Sequence, residues 1–270
     1  MGFFLVRRLL QMIPVLLLVS AVVFVIFRLI PGDPAQLILG SNPDPETLAA
    51  TRSKLGLDQP IPVQFARWLG DAVRGDLGES RINGQPVTSL VLEKFPATAE
   101  LAVLAMLLGS LVGVPMGVLA AVNRGRWIDT AARIAGLVGF SVPPYWLAIL
   151  LVILFTLRLN WLPPAGYARP GEDFASHLRY LALPVATLAL PVAAEQMRFV
   201  RAGMLEVLGQ DFVRSARSKG QSAPTSVFGH ALRNAAIPFL TISGLQFGFL
   251  LGGSVVIEQI FSWPGIGWLT

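Results

Sequence analysis

With 54% hydrophobic and 14% charged residues over 270 positions, the chain is far too apolar for a soluble domain, where about 25% of residues carry charge. The absence of cysteine excludes a disulfide framework, a thiolate metal site and a cysteine nucleophile. The net charge of +5 comes largely from arginines grouped at the ends of apolar runs, a pattern of membrane topology rather than of nucleic-acid binding.

A span needs about 20 mostly apolar residues, and five stretches reach that length. The first, 9–30, follows Arg7 and Arg8 and leads into Pro31-Gly32-Asp33-Pro34, which reads as a turn. No small-residue cleavage site follows the apolar core, so this segment is expected to remain as an anchor. Residues 31–95 are too long for a plain connector. Asp44 as N-cap, Pro45 at the first helical position and Gly56 as the stop predict one short helix there. A second is predicted over 62–74, carrying Phe65 and Trp68. A third, over 87–95, is amphipathic enough to lie on the membrane surface.

The second span covers 97–122, with Gly109, Gly113 and Gly117 at four-residue spacing, and the third covers 131–157. The fourth, 178–200, contains Pro184 and Pro191, which should kink it. Near its end Glu195 is within reach of Arg198 three residues on. The fifth, 235–260, repeats the glycine spacing at Gly244, Gly248 and Gly252 and places Glu258 near its outer end. Such stripes let helix backbones approach closely, and a minority of these glycines would leave room along a pathway. The basic residues fall mainly on one side if the N-terminus is cytosolic. Five spans then leave the C-terminus outside.

Between the last two spans, residues 198–237 are rich in arginine and must lie in water. Within them 211–219 has the marks of a short helix: Asp211 at the N-terminal end, Arg217 and Lys219 at the C-terminal end, and Gly220 as a left-handed stop. Two readings fit, a rigid element passing force to a soluble partner or a basic loop that only sets orientation.

The wording of this stretch resembles the EAA-type loop of binding-protein-dependent ABC importers. Asp211-Phe212-Val213-Arg214-Ser215-Ala216-Arg217-Ser218-Lys219-Gly220, with His230, Arg233, Asn234 and Pro238 downstream, is similar to the dipeptide/oligopeptide permease branch. So are Leu55-Gly56-Leu57-Asp58, Gly75-Asp76-Leu77-Gly78, Trp161-Leu162-Pro163, Glu258-Gln259-Ile260-Phe261 and Pro264-Gly265-Ile266-Gly267. The resemblance implies a single all-α permease domain over 1–270, a polytopic helical bundle in the bacterial cytoplasmic membrane. Residues 31–95 would form its extracytoplasmic loop and 198–237 its cytosolic coupling loop. Asp211, Phe212, Arg214, Ser215, Ala216, Arg217, Lys219 and Gly220 would couple to ATPase subunits, braced by His230, Arg233 and Asn234. Phe65 and Trp68 would serve docking of an extracytoplasmic solute-binding protein. The partners implied are a second homologous permease subunit, two ATPase subunits or domains, that binding protein and the lipid bilayer, with no nucleic acid. Such permeases typically close with a sixth span, so a chain stopping at Thr270 is expected to be truncated.

None of the three lysines (Lys54, Lys94, Lys219) is followed by Ser or Thr, so the chain has no Walker A motif. ATP and Mg are therefore expected in the partner subunits, with no cofactor and no metal site in this chain. His177 and His230 fall in polar segments on opposite sides of the membrane, where they cannot share a metal. An ATPase-independent secondary carrier usually needs an ionisable group at mid-span, and no carboxylate, histidine or lysine falls there, so that class loses ground. Glu195, near the inner end of the fourth span, is the residue that would revive it. A nickel-chelate permease is the other alternative, because that group is similar in sequence. No enzymatic activity is expected, and the residues lining the pathway remain unassigned.

Overall fold

Among the described residues of the computed structural model (2–29, 32–40, 43–80, 84–211 and 232–269) the backbone is helical, with no strand beyond one isolated bridge between Glu79 and Pro86. The all-α expectation holds. Two units divide the chain, 1–91 and 92–270.

In the first unit, α1 (Gly2–Leu29) leaves almost every described apolar side chain uncovered within its own unit, as a lipid-facing helix requires. Asp33 caps the short α2 (Pro34–Leu39) by accepting from the Ala35 amide at 3.0 Å. It also accepts from Arg52 Nε of α3 (Pro45–Lys54) at 2.7 Å. Desolvation pushes the Asp33 carboxyl up, but the Arg52 and Ala35 hydrogen bonds and the Arg52 charge hold it below its ordinary value. Asp44 accepts from the Thr47 amide and Gly56 takes φ +65°, so α3 starts and stops where its residues predict. Helix α4 (Ile61–Val73) is seated on α1 by Phe65, Trp68 and Phe24, whose ring centroids lie 5.5 to 6.1 Å apart.

Helix α5 (Val87–Val122) departs from expectation. Residues 87–95 are not a separate surface helix but the opening turns of this 36-residue helix, which continues through Pro96. A proline inside a helix costs about 3 kcal/mol. Here the buried Ala97, Thr98 and Leu101 that follow it hold the chain in register.

In the second unit, α5, α6 (Trp127–Ser141), α7 (Pro144–Leu151) and α9 (Leu232–Gly253) pack on α8 (Phe174–Leu208). The predicted third span is broken: α6 meets α7 and its π-helical continuation Val152–Arg158 at 101°. Proline disfavours helical backbone in the residue before it. Val142 and Pro143 each precede a proline, and both adopt extended backbone. Helix α8 runs on through Pro184 and Pro191. The predicted fifth span is divided at Ser254 into α9 and α10 (Val255–Ile260), followed by a 3-10 turn, Ile266–Leu269. Among the described residues three helices are long and apolar enough to cross a membrane, four if the bent pair is one span, beside the shorter Phe239–Gly253.

The glycine stripe of α5 explains how closely α5 and α8 approach. A Cβ at Gly113 would lie 2.5 Å from the Ala193 carbonyl oxygen, and one at Gly117 2.8 Å from that of Met197. Backbone lies against backbone there, the arrangement small residues permit in lipid.

Candidate functional site

Helix α8 carries polar side chains at three levels, and each ties it to a different neighbour.

At its start, His177 is buried between Tyr167 and Trp263. A place in a polar segment gave no sign of this burial. Its Nδ1 lies 2.7 Å from the Ala168 carbonyl, which only accepts, so Nδ1 carries a proton. Its Nε2 lies 2.8 Å from Glu100 Oε1 of α5, and that contact holds one shared proton in either charge arrangement. Trp263 is fully buried and donates from Nε1 to the Ala97 carbonyl at 3.0 Å.

Next to it, Glu258 is not a rim carboxylate but fully buried. Its Oε1 accepts from the Thr98 and Ser254 hydroxyls, both at 2.8 Å, and its Oε2 from the Gly267 amide at 2.7 Å. Thr98 Oγ1 in turn accepts from the Ile266 amide at 2.8 Å. A Cβ at Gly265 or Gly267 would run into the Glu258 carboxylate. The Glu-Gln-Ile-Phe and Pro-Gly-Ile-Gly stretches are thus two halves of one clip that pins the chain after α10 to α5.

In the middle of α8, Glu195 does not pair with Arg198, whose guanidinium lies 5.2 Å from the Phe140 ring centroid. Glu195 Oε2 accepts from Gln246 Nε2 of α9 at 2.7 Å. An ionised carboxylate only accepts, so this contact orients the Gln246 amide and turns its Oε1 toward Gln196. Gln196 Nε2 donates to it at 3.1 Å and also lies 3.2 Å from Met106 Sδ. Gln196 Oε1 is left buried with no hydrogen-bond partner.

Near the end of α8, Arg201 makes a two-pronged ion pair with the Asp129 carboxylate of α6, at 2.6 and 2.9 Å. The Gly125 amide donates to the same carboxylate at 3.0 Å. This anchors the last turns of α8, the stem from which 211–219 departs. The local sequence shows no sign of the pairing, because its partners are 72 positions apart.

Of the coupling residues, Asp211 is the exposed first helical residue past Gln210. Phe212, Arg214, Ser215, Ala216, Arg217, Lys219, Gly220 and the bracing His230 lie outside the described residues. Arg233 and Asn234 fall in the first turn of α9. Phe65 and Trp68 are half-buried against Phe24. Among the described residues no cluster of His, Asp and Glu is arranged to hold a metal. Sequence reading did not find the glutamine pair or the Asp129–Arg201 bridge.

The chain matches the family described as binding-protein-dependent transport system inner membrane component over residues 113–270, and the N-terminal companion family of such components over 1–102. It is 47% identical over 261 residues to a putative peptide transport system permease protein of Brucella abortus, covering 97% of this chain and 83% of that one. It is 42% identical over 264 residues to the glutathione transport system permease protein of Salmonella paratyphi A, covering 98% and 84%. A probable peptide ABC transporter permease protein of Sinorhizobium fredii is 40% identical over 267 residues, covering 99% and 85%. The fold is similar to the crystal structure of an amino acid ABC transporter with histidines, with a TM-score of 0.52 and 19% identity over 67% of this chain and 76% of that one. The helical fold, the apolar spans and these matches agree: the chain belongs to the binding-protein-dependent transport system inner membrane components, as a multi-pass permease subunit of a bacterial ABC importer.

Proposed function

We propose that this subunit imports di- or oligopeptides across the bacterial cytoplasmic membrane, with its N-terminus in the cytosol. The observation that carries the cargo class is similarity along nearly the whole chain to permeases named for peptide and glutathione transport. The pathway is completed by a second homologous permease subunit, driven by two ATPase subunits or domains that hold ATP and Mg, and fed by an extracytoplasmic binding protein. This chain acts as a transport subunit without enzymatic activity of its own. Closure of the ATPases shifts the helix expected over 211–219. The shift enters α8, whose last turns are clamped to α6 by Asp129 and Arg201. Phe65 and Trp68 serve docking by holding α4 on Phe24, so that the first unit presents a firm surface.

Proteoliposomes containing the full complex test this reading. Uptake of radiolabelled dialanine should require ATP, the binding protein and the ATPase subunits together; uptake without the ATPases would sink it. Gly220→Val should abolish uptake while insertion stays normal, since the left-handed stop expected of Gly220 would strain a β-branched residue. Labelling by an impermeant thiol reagent from outside should reach Ser176→Cys and not Ser222→Cys.

A further inference from the structure

Glu195 lies four residues beyond Pro191, the middle residue of α8. It shares an uncovered strip of that helix with Phe199 and Ala202, which are exposed. A carboxylate directed at lipid from a membrane-spanning helix is costly, so such a group faces a protein-lined or water-filled space. It has no ion pair among the described residues: Arg198 is turned to Phe140, and Arg201 is held by Asp129. The Gln196–Gln246 relay fixes one carboxylate oxygen, and among the described residues neither Glu195 Oε1 nor the buried Gln196 Oε1 has a donor. The cluster therefore holds two acceptors and offers no cation of its own. Were it only helix-to-helix glue, a neutral amide at 195 would serve equally and avoid the cost of the charge.

We propose that Glu195, positioned by Gln246 and Gln196, is the acceptor within α8 for an ammonium group on the transported cargo. This rests on the peptide reading above, in which the α-ammonium of the peptide is the donor. The site takes the ammonium during passage and releases it when α8 and α9 shift against each other and break the relay.

The test uses the full complex in proteoliposomes with radiolabelled dialanine. Glu195→Gln keeps an acceptor for Gln246 and the size of the side chain, so the yield of assembled complex should stay within twofold of wild type. Uptake should fall about tenfold or more, and Glu195→Asp should recover at least half of it. Gln246→Leu, which leaves the carboxylate unoriented, should also lower uptake severalfold. Wild-type uptake by Glu195→Gln overturns the proposal, and so does ATP-independent uptake driven by a pH gradient, which would make Glu195 a proton site. If Glu195→Gln fails to assemble, Glu195→Asp decides: an assembled Asp variant without uptake overturns the proposal. Wild-type complex that carries no peptide under any condition fails the peptide reading itself, and this shows before any variant is made.

Discussion

Two helices carry the same glycine spacing, and the fold treats them in opposite ways. Gly109, Gly113 and Gly117 of α5 are buried, and a methyl group on any of them would meet α8 at 2.5 to 2.8 Å. Among the described residues, Gly244, Gly248 and Gly252 of α9 have nothing within 4 Å of such a methyl and are exposed. The difference follows from which side of α9 carries the polar residues. Gln246 and Leu250 are buried, and Gln246 bonds to α8, so the glycines a half-turn away point elsewhere. Small-residue spacing reports only that close approach is permitted. Whether a neighbour uses it depends on the rest of the helix surface.

Four substitutions would break or sharpen this contrast. Gly113→Leu should have the largest effect, because the group in the way is the Ala193 carbonyl and backbone cannot give; a loss of about 3 kcal/mol is expected, read as a lowered unfolding midpoint in detergent. Thr98→Val removes both a donor to Glu258 and the acceptor for the Ile266 amide. It should cost about 2 kcal/mol and expose the segment after α10 to proteolysis first. Gly117→Ala adds one methyl against the Met197 carbonyl and Val200, for about 1 kcal/mol. Gly248→Leu should leave the stability of the isolated subunit within about 0.5 kcal/mol. A loss as large as that of Gly113→Leu would show that the two stripes are equivalent after all.

Much of the helical layout was legible locally. Asp44 and Gly56 bound α3, and the α5 stripe announced a packed face. The break at Val142–Pro143 was also written in the sequence, as two successive residues that each precede a proline. It was lost because apolar content alone makes 131–157 look like one span. The merging of 87–95 into α5 is different in kind. Proline normally ends a helix, and only burial of Ala97, Thr98 and Leu101 reverses that local preference. Glu258 is different again. Its place near the outer end of the fifth span says nothing of its burial, and its three donors come from α5, from Ser254 and from the turn beyond Pro264.

The sequence by itself determined that the chain is helical, membrane-embedded and without cysteine chemistry, because hydropathy, cap residues and composition act within a few positions. Family membership was legible as well, in the motifs that recur along its length. Tertiary structure alone decided which polar groups meet: Glu195 with Gln246 across 51 positions, His177 with Glu100 across 77, and Thr98 with Glu258 across 160. A buried polar group in lipid must find its partner inside the protein, and that partner is chosen by how helices pack, which no local pattern encodes.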